Sequence, residues 1–573
     1  MSDFINVTNE VAKATIAAAG SATMYAGKSL LADGIVYESD GVNWDASNSE
    51  NKVLAFPFNS DGIDAAITTI VASGKPGVIE YAPTRYTITR DHSLVRGVSH
   101  VGTPLEMEFG SSDNVPDFWT INSNSRGTIW DLADGVVGLK HNSVDLGTVQ
   151  SPLMSYAMRQ SHIYGIAFNG GLRAIKIGAV NAEGAVDGSI DMVYAYNQSC
   201  SDGGFAIDIH NSQFFKIGRL RISNDQASSV GGNFRMASSI PGSVLLPGDS
   251  HINEIFSRCT SRTRKGVVLE AGLGASAAIL NDIKITGRIH ASRYTTSTPA
   301  TVNITSTSGS ADISVPSDAE FALCTIGMPV RFQTTAPTTF DSVVTYFVVS
   351  RNESAKTIRL SDSDYGSAIT PTSSGIFATY VAGYPTFIAR ADSGCAIKNS
   401  NFGDMACEVT GNIGAIMFSK TRNCNVNLSN PSTSFTGTSV ILRDAELGLT
   451  YSGSNNVGVD ESSMMAGTAK FTNLAGGAYQ YSGSSFTLDS SWNGRSIRYS
   501  GTSDITITIP RKMPPGFHFS VVTTGATGIV TIAGASGLGL WSKSGFRTNG
   551  QYAKVTVQQV STIGYHVSGD LQV

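Results

Sequence analysis

The sequence contains few charged residues, few cysteines and no long apolar run. Asp, Glu, Lys and Arg make up 15% of its 573 residues, and the net charge is −5. This balance gives no basic surface of the kind that nucleic-acid-binding proteins carry. No apolar run approaches the about 18–20 residues that cross a membrane. The amino terminus, MSDFINVTNEVAK, lacks the basic and apolar parts of a secretory signal. We therefore expect neither nucleic acid as a partner nor insertion into a membrane.

The six cysteines form no CxxC pair, which predicts buried thiols rather than disulfides or metal ligands. This usage fits synthesis in a reducing cytoplasm. The sequence contains no P-loop, GxSxG or HExxH motif, and we expect no cofactor and no bound metal. Glycine is abundant at 60 residues, and Ser, Thr and Asn are frequent, which is typical of β-rich proteins with many turns.

Residues 60–102 change from a helical period to a strand period. The segment SDGIDAAITTIVASG predicts an amphipathic helix over 61–73, capped by Asp61 and ended by Gly74. Short alternating strands follow, interrupted by Gly and Pro. A parallel β-helix can begin in this way, because the helix covers the open end of the first coil.

This start resembles that of bacteriophage tailspikes, the capsular polysaccharide depolymerases with a pectate-lyase-like right-handed β-helix. The resemblance is carried by the segments SDGIDAAI (60–67), GVI (77–79), RYTI (85–88) and VRGV (95–98). Two later segments are similar to segments of phage tail proteins, namely TYFVV with IRLS (345–361) and GYHVSGDL (564–571). Together these segments extend the resemblance over residues 60–573.

The resemblance implies a mostly β homotrimer. Each chain would contain a right-handed parallel β-helix, an inserted small β module and a C-terminal antiparallel β-sandwich. It also implies a virion protein of the phage tail, made in the host cytoplasm and acting at the bacterial cell surface. Its N-terminal segment would dock onto the phage tail or another tail protein, as in tailspikes of the short-anchor type.

Changes of composition and strand spacing predict five parts. The stretch 118–290 repeats inward Ile, Val, Leu and Phe, as stacked parallel coils require. The five parts are an N-terminal leader or virion anchor (1–59), a β-helix with its capping helix at 61–73 (60–298), an inserted carbohydrate-binding-like β module (299–385), a continuation of the β-helix (386–465) and a C-terminal β-sandwich for trimerisation or glycan recognition (466–573).

Outward residues of stacked strands meet about 4.8 Å apart, so an alignment on inward residues predicts which side chains are neighbours. We aligned the first strand set on Ile166, Tyr194, Leu220, Ile255 and Ile283. The residues before these form the outward column Gly165, Val193, Arg219, Glu254 and Asp282. We expect Glu254 and Asp282 to be a catalytic carboxyl pair, because like charges raise the pKa of one member. Arg219 would bind substrate. The alternative is a solvated surface ladder.

A second strand set predicts a column of Lys176, Asp208 and Arg235, with His210 and Glu270 nearby. We expect four of these residues to contact substrate, namely Asp208, Arg235, His210 and Glu270. The alternative is an exposed polar face without function.

Aromatic residues offer a further way to hold a sugar. Tyr164 can stack on a sugar ring, or it can pack in the core or between chains. For Trp492 and Trp541 in the C-terminal part we expect a place in the core rather than at a sugar.

The resemblance to tailspikes implies attachment to the host and degradation of its capsular polysaccharide by glycosidic hydrolysis during host cell entry, and the carboxyl pair is compatible with this reaction. Two alternatives stay open. One is a polysaccharide lyase that cleaves by β-elimination, and the other is a non-catalytic tail-fibre adhesin that binds the same glycan.

Overall fold

Alternating apolar residues, separated by Gly, Asn and Asp turns, fold this chain into short stacked strands. In the computed structural model 52% of the residues are in strands and 6% in helices. The chain forms two compact units, Met1–Ala291 and Ser292–Val573. The structure describes residues 3–4, 14–15, 17, 28–32, 35–39, 44–46, 51–105, 121, 125–141, 158–159, 161–180, 184–224, 231–240, 247–293, 300–333, 335–340, 345–362, 366–381, 383–409, 416–428, 438–443, 447–451, 457–460, 470–472, 478–481, 484–488, 492–493, 496–511, 513, 516–561 and 563–572.

The first unit contains two long parallel sheets, which we name sheet A and sheet B. Successive passes of the chain add strands to sheet A and then to sheet B, an arrangement compatible with a β-helix. In this unit the strands of sheet A are Asn51–Leu54, Gly77–Glu80, Arg85–Ile88, Val98–Val101, Thr128–Leu132, His162–Tyr164, Ile166–Gly170, Ser189–Asp191, Val193–Tyr196, Lys216–Asn224, His251–Cys259, Lys284–Ile285 and Arg288–Arg293. Those of sheet B are His92–Ser93, Val137–Lys140, Arg173–Ile177, Phe205–His210, Gly232–Ser238 and Lys265–Ala271.

Shorter strands complete the first unit. A small N-terminal sheet pairs its strands in chain order, and one further pair and one further short strand lie later in the chain. These strands are Asp3–Phe4, Lys28–Ala32, Ile35–Ser39 and Trp44–Ala46, then Met158–Arg159 with Ala185–Val186, and Ile279–Asn281.

Stacked apolar side chains form the core of the first unit. In sheet B, Ile175, Ile207, Phe234 and Val267 are register partners on successive strands, and all four are fully buried. Strands that bury both faces need such near-continuous apolar runs. The repeated inward residues that the sequence predicts are therefore the residues that hold neighbouring passes of the chain together.

The predicted helix is present as α1, Ser60–Ser73. Its N-cap is Asn59 rather than Asp61, because the Asn59 side chain accepts the backbone N–H groups of Asp61 and Gly62 at 3.0 and 3.2 Å. Asp61 instead lies in the first turn. Gly74 ends the helix in the left-handed conformation, at φ +67°, as predicted.

The second unit begins with a closed β-barrel. It falls where the sequence predicts an inserted β module, and it includes the short helix α2, Asp318–Leu323, capped by Ser317. The barrel strands are Ala300–Ser306, Ile313–Ser314, Pro329–Phe332, Thr345–Asn352, Thr357–Ser361 and Gly375–Val381.

Parallel strands then resume in the second unit, in three groups. The first group is Phe387–Ala391, Ile416–Ser419, Thr438–Arg443 and Val457–Asp460. The second is Asn401–Val409, Cys424–Leu428, Leu447–Tyr451 and Lys470–Thr472. The third is Ala396–Lys398 with Thr421–Arg422.

The last part of the chain forms two sheets. One contains Ala478–Tyr481, Ser496–Tyr499, His518–Thr523, Gly539–Trp541, Lys554–Ser561 and Gly564–Gly569. The other contains Phe486–Thr487, Ile505–Ile509, Val530–Gly534, Arg547–Thr548 and Leu571–Gln572.

The predicted antiparallel arrangement of this part is only partly correct. Ser496–Tyr499 pairs in parallel with both of its neighbours, because a whole pass of the chain separates Ile497 from its partner Val521. Among the strands that the structure describes here, the antiparallel pairs all involve later strands, such as Lys554–Ser561 with Gly564–Gly569. There a short connection returns the chain directly.

Two further expectations concern single residues and helices. Cys200, Cys259, Cys324, Cys395 and Cys424 are buried thiols that take part in no disulfide bond, as predicted. The side chain of the sixth cysteine, Cys407, lies outside the described residues. In the described parts of the chain, no helix is both long and apolar enough to cross a membrane.

Candidate functional site

Asp208 is the centre of a buried charged cluster on sheet B. Its carboxylate accepts hydrogen bonds from Arg173 Nη1 at 2.7 Å and from Arg235 Nε at 2.8 Å. His210 Nε2 lies 3.0 Å from the carboxylate, and Glu270 Oε2 lies 3.8 Å from Arg235 Nη1. The structure therefore brings together the four residues that the sequence predicts on this sheet.

The predicted column of sheet B is confirmed by the strand register, in which Lys176, Asp208 and Arg235 are partners. Burial opposes the ionisation of Asp208. The hydrogen bond from His210 and the positive charge of Arg235 outweigh it, so that the pKa of Asp208 lies well below its ordinary value. Burial and the nearby charge of Arg173 lower the pKa of Lys176.

The polar side chains of the cluster are too buried to contact a polymer. Asp208, His210 and Glu270 are 0, 2 and 3% exposed, and the side chain of Arg235 is 15% exposed. A polysaccharide cannot reach these polar atoms unless the surrounding chain moves. We therefore assign the cluster to the stability of sheet B, and the predicted contact with substrate finds no support here.

Arg219 and Glu254 are register partners on sheet A, as predicted, and they form an ion pair of 2.6 Å between Nε and Oε2. The backbone N–H of Arg219 also donates to Asp191 Oδ1 at 2.8 Å. Tyr164 is the register partner of Asp191 and is half-buried. These residues form a surface ladder, the alternative that the sequence left open for Arg219 and Glu254.

The predicted alignment of sheet A is wrong by one residue at Tyr194. Val193, not Tyr194, is the partner of Leu220. Met192 takes the left-handed conformation, at φ +52°, that Gly165 takes at φ +69° one pass earlier. A residue other than Gly gives little sequence sign of this conformation, so the sequence does not mark Met192 as the counterpart of Gly165.

The predicted stacking of Asp282 on Glu254 is also wrong. Ile252 pairs with Ile285. Asp282, three residues before Ile285, therefore lies beside Asp249, three residues before Ile252. The error arises because another buried isoleucine, two residues before Ile285, gives the same apolar signal.

Phe214, Asp249 and Asp282 form a column just before three successive strands of sheet A, and we name it the corner column. The backbone N–H of Phe214 donates to Gly248 at 3.1 Å, and that of Asp249 donates to Asn281 at 3.0 Å. All three column residues are left-handed, with φ of +52, +48 and +51°. Because they share one conformation on successive passes, their side chains leave the backbone in the same direction.

The corner column places a protonatable carboxyl beside a second carboxyl. Burial raises the pKa of Asp249, and the charge of Asp282 and a hydrogen bond with it raise that pKa further. Glycosidases use such a pair, in which one carboxyl keeps its proton and the other is ionised. Neighbouring parallel strands lie about 4.8 Å apart, so two stacked carboxyls can reach the about 5–5.5 Å separation of retaining enzymes by side-chain rotation.

An aromatic ring and basic groups flank the two carboxyls. Phe214 is 52% exposed, and its ring offers an apolar face to a sugar. Two residues after the corner column, Lys216, His251 and Lys284 are register partners, and all three are exposed. Lys284 Nζ lies 3.8 Å from Asp282 Oδ1, and the charge of Lys284 acts against the rise in the pKa of Asp249.

A weak repeat in the sequence marks the corner column. The segments DGSI, FFKI, DSHI and DIKI begin at residues 187, 214, 249 and 282. Each carries the left-handed residue first and a buried isoleucine fourth. Alignment on this four-residue pattern would have placed Asp249 beside Asp282.

Neither metal ligands nor relatives identify the site. Within the described residues, no group of three or more His, Cys, Asp or Glu side chains is placed to hold a metal ion.

No protein-family model matches the chain, and no curated protein matches it.

Proposed function

We propose that the protein is a capsular polysaccharide depolymerase of the phage tailspike type, which hydrolyses glycosidic bonds at the corner column. The observation that carries the proposal is the strand register, which places Asp249 beside Asp282 on neighbouring passes of the chain. Burial and the neighbouring carboxyl raise the pKa of Asp249 there. Asp249 would donate the proton to the leaving oxygen. Asp282 would act as the carboxylate that serves as base or nucleophile.

The surroundings of the pair support a polymeric substrate. The site is an open surface feature on a stacked sheet rather than a closed pocket, with Phe214 52% exposed. Its exposed neighbours Lys216, His251 and Lys284 continue along successive strands, so a chain of sugars could contact several of them at once. The two lysines, Lys216 and Lys284, favour a polysaccharide that carries acidic substituents.

The biological setting belongs to the same proposal and rests on the resemblance of the sequence to tailspikes. Each chain would form a right-handed parallel β-helix, ending in a C-terminal sandwich, and three chains would form the homotrimer. The assembly would be part of the virion, anchored to the phage tail through the N-terminal segment. It would attach to the host by its capsule and degrade the capsule during entry.

Purified protein incubated with a panel of bacterial capsular polysaccharides tests the proposal. Chain length would be followed by size exclusion, and unsaturated uronates by their ultraviolet absorbance. Hydrolysis predicts shortened chains without new absorbance. Shortening with new absorbance would indicate a lyase, and binding without shortening would indicate an adhesin.

A further inference from the structure

Trp541 lies at the surface of the second unit, although the sequence predicts that it lies in the core. Its exposed fraction is 51%. Trp492, by contrast, is partly buried and packs against the apolar core of the same region, with Phe486 at 5.5 Å between ring centroids. The two tryptophans, which the sequence treats alike, therefore have different roles in the structure.

The indole ring of Trp541 lies across a neighbouring strand. Gly539–Trp541 pairs in parallel with Gly564–Gly569, and Gly539 is the register partner of Gly564. A Cβ atom at Gly564 would lie 2.3 Å from two ring carbons of Trp541, Cη2 and Cζ3. Only glycine leaves room for the ring at this position. The indole ring is thus held against the backbone of the neighbouring strand, while half of the residue's surface stays exposed.

We propose that Trp541 and its surroundings form a second polysaccharide-binding site, which we name the indole shelf. The C–H face of a pyranose ring stacks on a flat aromatic face. Exposed side chains that can donate or accept hydrogen bonds adjoin the ring, namely Ser561 and the register partner of Trp541, His566. The shelf holds one or two sugars of the same polymer that the corner column cleaves.

The size of the shelf favours a sugar over a protein partner. Half of an aromatic side chain is about 100 Å², which matches one sugar ring. A stable protein interface needs about 800 Å² from each partner. Two apolar residues of the same region, Val560 and Ile563, are exposed by 56 and 62%. Even with both of them the patch stays well below the area of such an interface.

The inference rests on the proposed function, because it takes its ligand from there. The test measures affinity for the capsular polysaccharides of the panel by gel electrophoresis in their presence. Asp282→Asn protein serves as the background, so that no chain is cut during the run. Trp541→Ala should weaken affinity about 3- to 10-fold, and Trp541→Phe should restore most of it.

The matched control is Tyr552→Asn, which removes another exposed aromatic ring of the same unit. Tyr552 is 71% exposed and left-handed at φ +64°, a conformation that Asn tolerates. This variant should bind as the background does. Equal losses in Trp541→Ala and Tyr552→Asn would overturn the shelf.

Other outcomes separate the two proposals. If the wild-type protein shortens a polysaccharide but Trp541→Ala binds it unchanged, the shelf is refuted and the proposed function stands. If Trp541→Ala changes the oligomeric state in size exclusion, the patch is an interface between copies of the chain and the shelf is again refuted. If the wild-type protein neither binds nor shortens any polysaccharide of the panel, both proposals are refuted.

Discussion

Replacement of Asp208 by asparagine should destabilise the first unit strongly. The carboxylate is fully buried and accepts hydrogen bonds from two arginines, Arg173 and Arg235. The asparagine side chain would keep the volume but remove the negative charge that both guanidinium groups share. Arg173 would then keep only the half-exposed Asp202, and Arg235 only Glu270 at 3.8 Å. Breaking a buried ion pair in this way costs about 3–5 kcal/mol.

The size of the unit determines how far this loss of stability lowers the melting temperature. The first unit spans Met1–Ala291, and unfolding entropy is about 2.1 cal/mol/K per residue. A loss of about 3–5 kcal/mol then lowers the melting temperature by about 5–8 °C. Differential scanning calorimetry measures this shift, and amide hydrogen exchange in Phe205–His210 shows whether the loss is local to sheet B.

Asp202→Asn is the matched control for this experiment. Asp202 also pairs with Arg173, but its side chain is 44% exposed, and exposed ion pairs contribute about 0–1 kcal/mol. It should shift the melting temperature by less than about 2 °C. Equal shifts in the two variants, or a shift below about 2 °C for Asp208→Asn, would refute the assignment of the cluster to stability.

The same cluster predicts how stability changes with acid. The pKa of Asp208 is lower in the folded protein than in the unfolded chain. The stability that it provides is therefore fully present above the unfolded value of about 3.9 and is lost as the pH falls through the lower folded pKa. In Asp208→Asn this contribution to acid unfolding should disappear.

Three further predictions follow from single contacts. Asn59→Ala should destabilise the first unit by about 1 kcal/mol in chemical denaturation, because two helix N–H groups lose their acceptor; no change would contradict the assignment of the cap. Gly62→Ala should cost about 1–3 kcal/mol although alanine favours helices, because its Cβ would lie 2.0 Å from Pro57 O; increased stability would contradict this packing. Asp249 should show a raised pKa in carboxyl NMR titration, and Asp282→Asn should bring it towards the ordinary value; an unchanged pKa would show that the two carboxyls are not in contact.

Local patterns in the sequence predicted α1 and the column of sheet B well. The spacing of Ile63 and Ile70 and the glycine at Gly74 gave the helix to within one residue. In sheet B the strands are unbroken and their apolar residues alternate regularly, so Lys176, Asp208 and Arg235 could be aligned by pattern alone.

Sheet A was harder to predict because its passes contain left-handed residues and loops of unequal length. Met192 at φ +52° replaces the glycine that marks the same place one pass earlier. After Asp282, Ile283 and Ile285 are both buried and lie two residues apart, so two registers of this strand give the same apolar pattern. The burial of Asp208 was not predictable either, because the pattern of one strand says nothing about which chain covers its outer face.

The most direct test of the catalytic assignment compares Asp282→Asn with Glu254→Gln on the polysaccharide that the wild-type protein shortens fastest. The register places Asp282 beside Asp249, while Glu254 pairs with Arg219. We predict that Asp282→Asn lowers the initial rate of cleavage by at least about 100-fold with binding intact, and that Glu254→Gln cleaves at nearly the wild-type rate. Loss of cleavage in Glu254→Gln with full activity in Asp282→Asn would contradict the account.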